Sequence, residues 1–248
     1  MVASPAYVTQ VLQRVDSTNA QAARIAGEIS GPTWILGLEQ TASRGRRGRV
    51  WCHPKGNFAA TLVLPSEDAP AALALRSFVA SVALYDACVA VTGRSAGLAL
   101  KWPNDVLLNG GKLAGILLET LPLAGGGQHL AIGIGVNLIA APPADEVEPH
   151  AVRPVSLLSE TGAQVTPEDF LQVLATAYAR LEAQMGTYGF APLRDLWLSR
   201  AARLGEVITA RMPSRTVTGT FETVDAQGNL VLKTAKGRET IAAAEISF

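Results

Sequence analysis

The densest chemistry in the sequence is Arg44-Gly45-Arg46-Arg47-Gly48-Arg49, followed by Trp51. Guanidinium forks match phosphate or carboxylate oxygens two at a time. Glycine lets the backbone close on an anion and leaves the empty segment disordered. The pattern predicts a mobile anion-binding loop. A basic patch for nucleic acid is the competing reading, weakened by the position of the loop between two apolar strands, where ligand sites gather.

Lys101-Trp102-Pro103-Asn104-Asp105 follows an apolar strand, and proline with Asn-Asp accounts for a turn there without any function. Lys112 leads Leu113-Ala114-Gly115-Ile116-Leu117-Leu118-Glu119 into a strand that reads as buried. Its ammonium must snorkel to the surface or find an anion. Gly110-Gly111-Lys112 is not a phosphate-binding P-loop, because Leu113 stands where Ser or Thr is required and the first glycine is missing. In Gly133-Ile134-Gly135-Val136-Asn137, Ala131, Gly133, Gly135 and Asn137 share one nearly bare strand face. Such a face suits a tightly packed helix or a ligand, and Asn137 at its end favours the ligand. It is no dinucleotide fingerprint, since Leu138 replaces the last glycine. His53, His129 and His150 lack metal-ligand spacing and read as surface or loop residues, so no metal site is expected. Cys52 and Cys88 have no CxxC partner and read as small buried hydrophobes.

The elements that must hold these residues can be read from capping and periodicity. Asp16-Ser17-Thr18-Asn19 offers oxygen-bearing caps for a helix over Ala20 to Ile29. Strands are expected at Thr33–Glu39, Phe58–Leu64, Leu98–Trp102, Lys112–Glu119 and His129–Leu138. Leu73–Val91 has apolar residues at helical spacing. A second helix starts at Thr166 as N-cap, with Pro167, Glu168 and Asp169 in its first turn. After Gly205, short strands at Val207–Arg211, Val217–Val224, Leu230–Thr234 and Glu239–Ile246 predict a small β barrel. The expected division is an α/β domain over 1–204 and a barrel over 205–248.

The chain has 248 residues, 21 basic and 21 acidic, for a formal net charge of +0, which argues against coating nucleic acid or an anionic membrane. Hydrophobic residues make up 48% and charged residues 17%, the composition of a globular chain rather than a disordered one. Met1 to Gln13 lacks the apolar core of a signal peptide, and Phe78–Val91 is too short to span a bilayer. A cytoplasmic, reducing location is the expectation.

Together and in this order, the arginine–glycine loop with Trp51, Lys101–Asp105 and Gly111–Glu119 resemble the corresponding motifs of bacterial biotin protein ligases. The resemblance runs from Val8 to Phe248. It implies a mixed sheet with packed helices, like a class II synthetase, and an SH3-like carboxy-terminal barrel. It implies that ATP, bound with Mg2+, activates biotin as biotinyl-5'-adenylate. Biotin then passes to a lysine of a biotin carboxyl carrier protein, usually that of acetyl-CoA carboxylase. By residue match, Ser17, Thr18, Asn19, Gln40, Arg44, Gly45, Arg46 and Lys112 would bind biotin. Arg46, Arg49, Trp51, Lys101, Asn104, Lys112 and Asn137 would bind the nucleotide, with Lys112 and Arg46 catalytic. Two departures stand out. Ser43 occupies a position where the family usually has glycine, and only a short lead precedes Asp16, where two-function members carry a DNA-binding winged helix. The monofunctional type without nucleic-acid or membrane partners is therefore expected, with a homodimer left open. Lipoate ligases and octanoyl transferases, similar in fold, are the alternative.

Overall fold

The computed structural model describes residues 7–143 and 152–248, so His150 lies outside the described residues. A seven-stranded sheet has the order β1-β2-β3-β7-β6-β5-β4. It comprises β1 (Val8–Leu12), β2 (Thr33–Gly37), β3 (Phe58–Ser66), β4 (Leu98–Lys101), β5 (Asp105–Leu108), β6 (Gly111–Pro122) and β7 (Gln128–Val136). Among the described strands of this sheet only β1 and β2 pair in parallel, and helix α1 (Thr18–Ile25) supplies the crossover between them. All other neighbours are antiparallel.

Side-chain alternation gives the sheet two unlike faces. Trp34, Leu36, Phe58, Ala60, Leu62, Leu130, Ile132 and Ile134 enter the main core. There they meet α3 (Arg76–Thr92), α5 (Pro167–Tyr188) and α6 (Phe190–Leu198), with Phe58 edge-on to Phe170 at 5.0 Å. The opposite residues of the same strands, Ile35, Val63 and Ala131, pack in a smaller cluster with Ala22 and Ala26 from α1 and the turn after it. Between that cluster and the sheet edge, the second face is left open.

The helix starting at Thr166 is capped as the sequence predicts, with the Thr166 hydroxyl accepting from the Asp169 amide at 3.1 Å. The apolar run Leu73–Val91 forms α2 (Pro70–Ala74) and α3. The stretch read as too short to span a bilayer, Phe78–Val91, lies within a longer helical run, Pro70–Thr92, whose 23 residues are long and apolar enough to cross one by length and composition. In this fold Phe78, Val79, Val82, Ala83 and Ala87 lie buried in the main core.

The second sheet has the order β11-β10-β9-β8-β12, built from β8 (Val207–Arg211), β9 (Thr216–Val224), β10 (Leu230–Thr234), β11 (Gly237–Ile241) and β12 (Glu245–Ser247). The single strand expected at Glu239–Ile246 is two. After Ile241 the chain leaves one edge, crosses on three alanines, and returns as β12 on the other edge against β8. That crossing curls a flat ladder toward a barrel. Trp197 of α6 touches both Phe78 and Phe221 of β9, with ring centroids 5.3 and 6.4 Å away, so both sheets share one core.

Candidate active site

The open face of the main sheet forms the floor of a cavity of about 490 Å³. All thirteen residues singled out above line it, although they come from five separate segments of chain.

At one end stands the start of α1. Ser17 is its N-cap residue, but the Ser17 hydroxyl does not cap it. The Gln40 side chain does so instead, its Oε1 accepting from the Thr18 amide at 2.8 Å. That frees Ser17, buried at the cavity wall, for another partner. Beside it the Thr61 hydroxyl lies 2.8 Å from the Thr18 hydroxyl and donates to Asn19 Oδ1 at 2.6 Å. Asn19 Nδ2 in turn donates to Glu119 at 2.6 Å. Small side chains are required opposite: a Cβ on Gly133 would come within 2.3 Å of Asn19 Oδ1. The bare strand face is therefore filled here by a polar side chain from α1.

At the other end the charges gather. Lys112 finds its anion in Asp105, 2.8 Å away, and Lys101 lies 3.8 Å from the other oxygen of the same carboxylate. Asn104, at the turn before β5, donates to the Ile116 carbonyl at 2.7 Å and accepts from Arg46 at 3.0 Å. Burial pushes the Lys101 ammonium and the Arg46 guanidinium below their ordinary pKa values, and Asp105 only partly opposes this. Half-desolvated cations sharing one carboxylate gain most from an arriving anion. Asn137 Nδ2 donates to the Val155 carbonyl at 3.0 Å, whereas its buried Oδ1 has no partner. A buried carboxamide oxygen left unpaired at a cavity wall is placed to accept from a ligand N–H.

The arginine–glycine loop is a small hairpin across this cavity. Its neck is closed by Trp51 N–H to the Ser43 carbonyl at 3.1 Å and Gly45 N–H to the Arg49 carbonyl at 2.7 Å. Its tip is a 3-10 turn in which Arg47 takes a left-handed φ of 59°. The indole of Trp51 lies on the glycine stripe, where a Cβ at Gly135 would meet it at 2.6 Å and one at Gly115 at 3.2 Å. Lys112 Nζ stands 5.6 Å from the ring centroid. Arg49 forms a two-pronged pair with Glu245 of β12 at 2.9 and 3.1 Å, joined by Arg47 at 3.5 Å. These guanidiniums hold the Glu245 carboxyl below its usual range. Arg44 turns outward to Glu119 at 2.9 Å.

Three residues that matter here escaped the sequence reading. Asp105 was legible in principle, as one of the two acids nearest in sequence to Lys112, whose ammonium needs an anion. Thr61 and Glu245 carry no local signal; Glu245 is 196 residues from Arg49. The histidine expectation also needs correcting: His129 is buried in β7, its ring nitrogens 3.1 Å from the Gln128 and Ile29 carbonyls. Cys88 is fully buried as expected, and desolvation pushes its thiol up to about 12. Cys52, by contrast, is half-buried and lines the cavity. Iodoacetamide is expected to label Cys52 alone in the native protein and Cys88 only after unfolding, read by peptide mass spectrometry. Equal labelling of both would contradict this packing.

Residues 11–137 match the biotin/lipoate A/B protein ligase family and residues 204–248 the biotin protein ligase C terminal domain. The biotin--[acetyl-CoA-carboxylase] ligase of Paracoccus denitrificans is 56% identical, over 96% of this chain and 99% of its own. That of Mycobacterium tuberculosis is 31% identical over 94% and 86%. Among solved structures, the biotin protein ligase from Aquifex aeolicus in complex with biotin and ATP superposes with a TM-score of 0.83 at 24% identity, covering 97% of each chain. With the matched domains adjoining a cavity built from both sheets, the chain belongs to the biotin/lipoate A/B protein ligase family, among its biotin protein ligases.

Proposed function

We propose that this chain activates biotin with ATP and transfers it to a lysine of a biotin carboxyl carrier protein, that of acetyl-CoA carboxylase by analogy with the Paracoccus relative. The observation that carries the reading is the polarity of the cavity. Hydrogen-bonding groups from Ser17, Thr18, Asn19 and Gln40 occupy one end, and Arg46, Lys101 and Lys112 the other. A small ureido ring with a carboxylate tail fits that gradient.

In the first step, a biotin carboxylate oxygen attacks the α-phosphorus, the α–β P–O bond breaks, and pyrophosphate leaves. Both reactants are anions, so the barrier falls only if fixed positive charge lies between them. Lys112 is assigned that position, with Arg46 beside it, held by Asn104. Asn137 Oδ1 and Trp51 are assigned to the nucleotide base and the closing wall. In the second step, the carrier amine attacks the acyl carbon and AMP leaves. Mg2+ enters this reading on the triphosphate, whose oxygens would supply ligands. Among the described residues no group of three or more His, Cys, Asp or Glu is placed to hold a metal, and Asp105 is already shared by two lysines. The reading assigns residues 1–204 to catalysis and 205–248 to the barrel, in the cytoplasm, with no nucleic-acid or membrane partner.

Lipoate is the rival substrate. Isotope exchange between ATP and pyrophosphate should depend on biotin and be absent with lipoate or octanoate. Exchange driven equally by lipoate would overturn the assignment.

A further inference from the structure

Ser43 stands at the root of the arginine–glycine hairpin, and the structure gives its side chain a use. Its backbone is not among the left-handed residues, so serine adopts this path without the strain that a positive φ would impose. Its hydroxyl donates to the Trp51 carbonyl, while Trp51 N–H donates to the Ser43 carbonyl at 3.1 Å. In an antiparallel hydrogen-bonded pair both backbone amides donate. Here the serine hydroxyl serves as the second donor, so the rung at the root of the hairpin is closed in both directions. The residue fixed by that rung is Trp51, whose indole covers Gly115 and Gly135 beside Lys112.

We propose that Ser43 is a positioning residue: its side chain latches the neck of the arginine–glycine hairpin, holding Trp51 across the cavity before any substrate binds. Glycine cannot make this bond. The hairpin is thus closed from two sides, by Ser43 at its root and by Glu245 near its tip. On the ligase reading, on which this part rests, the latch also slows escape of the mixed anhydride formed beneath the loop.

The test compares the full chain with Ser43→Ala, Ser43→Gly and Ser43→Thr. Amide hydrogen exchange over residues 44–52 of the ligand-free protein measures opening of the neck without reference to any substrate. Losing one neutral hydrogen bond should raise exchange about fivefold in the alanine and glycine variants, with threonine close to wild type. Release of biotinyl-adenylate should quicken by a similar factor in the same two variants. A loop in Ser43→Ala and Ser43→Gly that exchanges as slowly as wild type overturns the latch. So does a Ser43→Thr loop as open as that of Ser43→Ala. Absence of any adenylate in wild type would instead sink the ligase reading and leave the exchange result to decide the latch.

Discussion

Lys112→Ala is expected to slow formation of biotinyl-adenylate by ~10²–10³-fold, the usual loss when a donor aimed at developing charge is removed. The fold should survive. Lys112 joins its neighbours through the backbone, its amide donating to the Arg153 carbonyl and its carbonyl accepting from Val155, and alanine keeps both bonds. Asp105 is left with Lys101 as its cation. Because the Asp105 Oδ1 facing Lys112 is buried, losing this pair costs more than losing an exposed one, about 1–3 kcal/mol, at roughly 2–4 °C in Tm per kcal/mol for a chain of this size. Single-turnover formation of the adenylate is the measurement. A near wild-type rate from folded Lys112→Ala would remove Lys112 from the chemistry.

Gly133→Ala should damage the other end of the cavity. The added methyl lands 2.3 Å from Asn19 Oδ1 and 2.9 Å from its Cγ. Asn19 is buried and held by both Thr61 and Glu119, so it cannot swing aside freely. Overpacking of this kind costs about 1–3 kcal/mol, and the wall made by Thr18 and Asn19 must shift. Biotin affinity by calorimetry is expected to fall roughly 10–100-fold, with ATP affinity nearly unchanged. Gly27→Ala, which meets nothing within 4 Å, is the control. If Gly133→Ala binds biotin normally, the polar wall is not the ureido subsite.

Of the strands that build the site, β3, β6 and β7 were legible because they are largely buried and flanked by turn chemistry. The bare face at Gly133 and Gly135 was readable from alternation alone, though not its two uses, Asn19 at one glycine and Trp51 at the other. Edge strand β1 was missed because its exposed Val8 and Val11 and intervening polar residues give no buried pattern. Strand β5 and helices α4 (Leu157–Thr161) and α6 escaped for another reason: short elements depend on tertiary packing more than on periodicity. The Ser17 cap failed because a side chain 22 residues away took its place. Likewise, nothing near Glu245 announces that it faces Arg49. Long-range pairs of this kind are created by topology, so a local reading cannot contain them.

The ring contacts from Phe78 through Trp197 to Phe221 have a thermal consequence. Because the aromatic seam is continuous, the barrel cannot melt away while the main sheet stays intact; stripping it off would lay Trp197 and Phe78 open to water. Glu245 therefore hangs from a wall whose rigidity is underwritten by the entire molecule rather than by five short strands. Heat and denaturant should dismantle both sheets in one cooperative transition, and the grip on the arginine hairpin would persist up to that point instead of fading ahead of it.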